Sequence, residues 1–115
     1  MKRVLILDED PNMCELLKRE ISDDGFDVIS ESIVAKGMKC LKKELIDLMI
    51  LDFKNPEDYG DVFFKWMKYE KIRTPVIIYS GYNDFKRLLK RDYTKHFIMK
   101  SGNMTILKNK VHEVI

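Results

Sequence analysis

The sequence predicts a doubly wound α/β domain, with a five-stranded parallel sheet between two layers of helix. Five short apolar runs alternate along the chain with segments of helical period. Three of those runs are continuously apolar, as strands covered on both faces are. No linker is long enough to split the resulting (βα) repeat, and right-handed crossovers leave little besides a parallel sheet for such an order.

The first run is Val4 to Leu7. Asp10-Pro11 follows as an N-cap with proline at the first helical position, where its missing N–H costs nothing. Met13, Leu16, Leu17 and Ile21 then share one helix face, and Gly25 is placed to end the helix. The second run, Phe26 to Ile29, is mixed and suits a strand nearer an edge. Val34, Met38, Leu41 and Leu45 form a second helical stripe behind a Ser32 cap. Leu48 to Leu51 is the third run, and a turn-rich stretch from Lys54 to Gly60 separates it from the stripe Phe63, Trp66 and Met67. Val76 to Tyr79 is the fourth run, followed by a shorter stripe of Phe85, Leu88 and Leu89. Phe97 to Met99 is the last, and Ile106, Leu107, Val111, Val114 and Ile115 make the final stripe.

A chain of 115 residues is read as one domain, 1–115, large enough to bury roughly two-thirds of its unfolded surface. Hydrophobic residues at 45% and charged residues at 35% describe a soluble globular protein and argue against disorder. Cys14 and Cys40 are too few for a disulfide framework, so both are read as reduced thiols in a cytoplasmic protein. The first apolar run stops at acidic residues before a secretory signal could form, and no run is long enough to cross a membrane. The net charge of +2 hides an asymmetry: residues 1–57 carry 9 Lys/Arg against 13 Asp/Glu, residues 58–115 carry 12 against 6. An acidic site early in the chain and a basic surface late in it are expected. So mild a basic balance, without aromatic interleaving or a recognition motif, gives no case for nucleic-acid binding.

Open doubly wound sheets bind ligands at the carboxyl ends of their strands. Here the first strand ends in Asp8-Glu9-Asp10, the third in Asp52, the fourth in Ser80-Gly81 and the fifth in Lys100. No comparable set gathers at the other rim. Each residue has an ordinary alternative: Asp10 caps a helix, Asp52 caps a turn, Ser80-Gly81 ends a strand, Lys100 is solvated. Their joint placement is what points to chemistry. Two carboxylates about 4 Å apart repel by about 4 kcal/mol at an effective dielectric near 20, so the cluster must hold protons, recruit Lys100 or bind a cation. Hard oxygen ligands on a partly open rim suit Mg²⁺, the usual companion of phosphoryl transfer. Asp52 then serves as an oxygen nucleophile, with Lys100 and the Ser80 hydroxyl meeting the phosphoryl oxygens.

Over almost its whole length the chain resembles the receiver domains of bacterial two-component response regulators. The resemblance is carried by VLILDEDPN (4–12), DLMILDFKNPEDYG (47–60), TPVIIYSG (74–81) and HFIMKS (96–101). It implies a CheY-like, flavodoxin-like (βα)5 fold with strand order 2-1-3-4-5. It also implies a phosphoryl group accepted on Asp52 from a histidine kinase or phosphotransfer protein. Mg²⁺ would be held by Asp8, Glu9, Asp52 and the backbone carbonyl of Lys54. Ser80 aligns with the hydroxyl switch residue, Lys100 with the lysine that contacts the phosphoryl, and Phe97 with the aromatic switch. A downstream effector domain or protein, or a second copy docked through the fourth and fifth helices and the fifth strand, is the implied partner. The chain ends where effector domains usually follow.

Several positions depart from the family pattern. Glu9 stands where aspartate is commoner. Ser101 replaces a proline whose peptide bond is usually cis; a cis bond before serine would cost about 3 kcal/mol, so trans is expected. The interval from Ser80 to Lys100 is short, which abbreviates the fourth helical segment. Lys54 is unusual beside an acceptor: it pairs with Glu9, shields the phosphoryl from water or is an ordinary solvated loop lysine, and Tyr82 is placed to cover the same opening. Lys86, Arg87, Lys90 and Arg91 read as a solvated helix face or a site for an acidic partner.

Two rival readings keep part of this pattern. In a haloacid-dehalogenase-like phosphatase, Asp8 would be the nucleophile and Asp10 the general acid. In a pseudo-receiver, the fold would serve docking alone. His96 and His112 have no neighbours at metal-ligand spacing, the glycines form no phosphate loop, and no Ser-His-acid arrangement stands out.

Overall fold

The computed structural model describes residues 1–54, 56–81 and 96–115, the side chains of 56–59 excepted. The fourth helical stripe, Tyr82 and the basic residues from Lys86 to Arg91 lie outside the described residues.

Nine elements follow in chain order among the described residues: β1 (Arg3–Asp8), α1 (Pro11–Asp23), β2 (Asp27–Glu31), α2 (Val34–Lys43), β3 (Leu48–Asp52), α3 (Pro56–Tyr69), β4 (Val76–Ser80), β5 (Phe97–Met99) and α4 (Thr105–Val114). The strands form one parallel sheet in the order β2-β1-β3-β4-β5, the expected order, with the mixed strand β2 at an edge.

Side-chain alternation divides the core into two layers. Val4, Ile6, Leu48, Ile50, Ile77 and Tyr79 face α1 and α4, meeting Leu17, Ile21, Leu107 and Val111. Leu5, Leu7, Met49 and Leu51 face α2 and α3, meeting Leu41, Phe63 and Met67. Two apolar layers back to back explain why these strands read as unbroken apolar runs.

Local signals decide where the helices start and stop. Asp10 caps α1 as expected, its Oδ1 accepting the Asn12 N–H at 3.0 Å, with Pro11 at the first helical position. Gly25 follows the C-terminus with φ +94°, a conformation that favours glycine. Gly37 has a different purpose: a Cβ there would sit 2.7 Å from Leu7 Cδ2, so a larger residue would force the Leu7 side chain to shift where α2 meets β1.

Four local expectations are corrected. Cys14, not Leu16, completes the buried face of α1; Leu16 sits at its margin and is 37% exposed. Ser32 makes no cap, because α2 begins after Ile33 without a side-chain cap bond. Leu45 lies beyond the end of α2 and is 90% exposed. The stretch expected to be turn is helical from Pro56 onward, since Pro56 suits the first turn of a helix and Gly60 is buried within it. No helix among the described residues is long and apolar enough to cross a membrane, and both cysteines are free.

Candidate functional site

Parallel pairing of β1 with β3 places Asp8 directly opposite Asp52, and the bond from Glu9 N–H to the Asp52 carbonyl (3.4 Å) carries the pairing one residue further. On the other side of β3, β4 delivers Ser80. The Lys100 N–H donates to the Ser80 carbonyl at 2.7 Å, which fixes the start of the Lys100 side chain beside the same rim. Phe53, buried immediately after Asp52, packs edge-on against Phe63 with ring centroids 5.3 Å apart. That contact anchors the loop leaving the site to α3.

Every expected side chain except those of Glu9 and Phe97 meets at Asp52. The Ser80 hydroxyl donates to Asp52 Oδ1 at 2.5 Å. Lys100 Nζ donates to Asp52 Oδ2 at 2.5 Å and to Asp8 Oδ2 at 3.1 Å. Asp8 Oδ1 accepts the Asp10 N–H at 2.9 Å, so both oxygens of this buried carboxylate are engaged. Glu9 reaches outward instead, its Oε1 accepting the Lys54 N–H at 2.9 Å. Glu9 is met by the Lys54 backbone and not by its ammonium; the Lys54 side chain is exposed, as a solvated loop lysine is. Phe97 is half-buried in β5, opposite Ile78. The Lys100–Ser101 bond is trans, as are all peptide bonds among the described residues.

One ammonium thus serves two carboxylates. Burial raises the Asp52 pKa above the ordinary carboxylate value; its bonds to Lys100 and Ser80 oppose this, and the Asp8 charge adds to it. Burial works to lower the Lys100 pKa, yet its bonds and charge interactions with Asp52 and Asp8 together carry it above the ordinary lysine value. The two directions agree physically: Lys100 sees two anions, whereas Asp52 sees one cation, one anion and little water.

Asp8 and Asp52 supply adjacent hard oxygen donors with one net negative charge left after Lys100, which fits a small divalent cation. Among the described residues no three metal-ligating side chains converge on one point, because Glu9 is turned to the Lys54 N–H. The donor chemistry of Asp8 and Asp52 fits Mg²⁺, while Glu9 is held by the Lys54 N–H.

Two supporting residues escaped the sequence reading. The Cys14 thiol donates to the Asp8 carbonyl at 3.1 Å, bracing the end of β1, and burial pushes that thiol's pKa up, away from reactivity. Its 3-and-4 spacing with Leu17 and Ile21 was the available signal. The Tyr79 ring lies 5.9 Å from Lys100 Nζ, within cation–π range, and nothing in an apolar run distinguishes it. Asp10 Oδ1 accepts the Asn12 N–H, the ordinary capping use expected of it.

The model of the response regulator receiver domain matches residues 4–112. Transcriptional regulatory protein GlrR of Escherichia coli (strain K12) is 29% identical over 79 residues, which are 69% of this chain and 18% of GlrR. Cell cycle transcriptional regulator CtrA of Caulobacter vibrioides is 26% identical over 88 residues, 76% of this chain and 38% of CtrA. The chain therefore spans well under half the length of these curated relatives. Among solved structures, response regulator TrrA of Thermotoga maritima in complex with Mg²⁺–BeF has a TM-score of 0.82 at 27% identity, covering 100% of both chains. The complex of histidine kinase ThkA with TrrA gives 0.83 at 28% identity, covering 100% of this chain and 99% of that one. Chemotaxis response regulator CheY4 of Vibrio cholerae shares the fold, with a TM-score of 0.83 at 18% identity over 100% and 99% of the two chains.

Proposed function

Because the chain belongs to the family of response regulator receiver domains, we propose that it accepts a phosphoryl group on Asp52 from a histidine kinase or phosphotransfer protein. The observation that carries this reading is the coordination of Asp52 itself. A hydroxyl holds one carboxylate oxygen and an ammonium the other, with a second carboxylate alongside.

Asp52 is the nucleophile. A carboxylate oxygen attacks phosphorus as the bond from phosphorus to the donor's imidazole nitrogen breaks, and that nitrogen keeps the electron pair and takes up a proton. Oδ1 is the cheaper oxygen to release, since a neutral hydroxyl holds it rather than a charge. The Ser80 hydroxyl then turns to a phosphoryl oxygen, and the Lys100 ammonium, already at the rim, offsets the added negative charge. Asp8, Glu9, Asp52 and the Lys54 carbonyl would hold Mg²⁺, which when bound supplies charge neutralisation to the transferring group. Movement of Ser80 toward the phosphoryl opens space toward Phe97, which biases the surface of β5 and α4.

Several further assignments rest on the same reading. Residues 1–115 act as one signalling unit rather than a metabolic enzyme, in the cytoplasm, where both thiols stay reduced. TrrA's complex with ThkA supports a kinase partner, and the greater length of GlrR and CtrA supports an effector domain or protein downstream. Beryllofluoride, which mimics a phosphoryl group, tests the site directly. With Mg²⁺ present it should shift the backbone amides of Asp52, Ser80 and Lys100 in NMR spectra. A spectrum unchanged by Mg²⁺ and beryllofluoride together would leave a docking module and remove the acceptor.

A further inference from the structure

The strand ends opposite Asp52 border an open cleft of about 790 Å³, flanked by the C-terminal turns of α3 and α4 and the start of β4. That volume lies within the range of pockets for small molecules. Its floor is apolar, formed in part by Met67, Ile72, Val76 and Val114. Lys68, Lys71 and Arg73 stand around it, all three exposed and none in an ion pair with a described residue. Among the described residues lining the cleft the one anion is Glu113, which is paired with Lys110 at 3.2 Å. Nearby Glu70 is paired with Lys42 at 3.4 Å. His96 contributes its ring to the lining.

Lys71 is the informative residue. α3 ends in a Schellman motif: the Ile72 N–H donates to the Met67 carbonyl at 2.9 Å and the Lys71 N–H to the Lys68 carbonyl at 3.1 Å. Lys71 occupies its left-handed position with φ +58°, where glycine is the usual residue and a side chain is strained. Lys68, in the last turn of α3, has a structural use against the helix dipole. Lys71, just past the same helix end, lines the cleft while holding a conformation that glycine would take without strain.

We propose that this cleft is a binding site for an organic anion of nucleotide size, its acidic group held by Lys71, Arg73 and Lys68 and its apolar body resting on the floor. The site is separate from the phosphoryl acceptor and needs no metal ion.

Anilinonaphthalene sulfonate, an aromatic body with one acidic group, is the probe. It is titrated into the full chain in EDTA and followed by fluorescence and by the methyl NMR signals of Ile72, Val76 and Val114. Saturable binding at one site is expected, with shifts confined to those methyls and affinity falling as salt rises. Lys71→Gly is the decisive variant, because it relieves the backbone and removes the charge together. It should raise the melting temperature while weakening the probe about tenfold, the scale of one lost charge-assisted contact. Arg73→Glu should weaken it further with the fold intact. Equal affinity for the uncharged analogue phenylnaphthylamine, methyl shifts elsewhere, no binding, or unchanged affinity in Lys71→Gly would each overturn the proposal.

Discussion

Asp8 and Asp52 stand opposite each other on adjacent parallel strands, and the Lys100 ammonium reaches both, at 3.1 and 2.5 Å. The strand order creates this pairing, and the short reach of an aspartate keeps the two charges near the rim. Two carboxylates sharing one cation are electrostatically under-compensated, which makes the site receptive to a second cation.

Removing the ammonium should therefore cost stability. Loss of one partner from a fully buried pair costs about 3–5 kcal/mol. The Lys100 side chain is 23% exposed, so Lys100→Met is expected to lose less, about 1–3 kcal/mol, in metal-free buffer. Urea denaturation with and without MgCl₂ checks this. Mg²⁺ should stabilise the variant more than the parent, because the cation then replaces the missing charge.

The raised Asp52 pKa sets a pH dependence. The native protein holds this proton to a higher pH than the unfolded chain does. The stability it contributes is complete below the unfolded-state value and is lost as pH rises through the native one. On acidification from neutrality the parent should gain stability relative to Asp52→Asn, which has no proton to bind there. Mg²⁺ affinity should fall over the same window. Paired urea titrations between neutral and mildly acidic pH measure the difference, and a parent that loses ground would refute the assignment.

Asp10→Ala removes one capping bond and should cost about 1 kcal/mol. Phosphoryl uptake should persist in this variant, since Asp10 serves α1 and not the acceptor. Thermal unfolding and a phosphorylation assay on the same preparation report the two effects separately.

What the sequence conveyed and what it withheld divide along physical lines. Short apolar runs, three of them unbroken, identified the strands, and Asp8, Asp52, Ser80 and Lys100 at their ends do meet at one rim. That Lys100 bridges both aspartates was not legible, because side-chain reach depends on where β5 starts relative to β4. Glu9 on the Lys54 N–H was hidden for a similar reason: a backbone donor leaves no mark in the residue type. The buried face of α1 was misread at Cys14, a small apolar residue written as a thiol, which is buried where Leu16 is not. The cationic cleft was missed although Lys68, Lys71 and Arg73 share one short stretch, because the walls that His96 and Val114 add to it come from distant sequence.

Gly37 offers a test of packing independent of the site. Alanine there would gain helix propensity, worth up to about 1 kcal/mol. Against this, its Cβ falls 2.7–2.8 Å from both terminal carbons of Leu7, a fully buried side chain that would have to shift. Overpacking of this kind costs about 1–3 kcal/mol, so a net loss of about 1 kcal/mol is expected from Gly37→Ala by urea denaturation.

Phosphopeptide mapping by mass spectrometry, after incubation with acetyl phosphate and Mg²⁺, bears most directly on the acceptor assignment. The account predicts a single acid-stable, base-labile adduct on Asp52, absent from Asp52→Asn and from samples treated with EDTA. An adduct on Asp8, or an unmodified Asp52 under conditions that phosphorylate a known receiver, would contradict it.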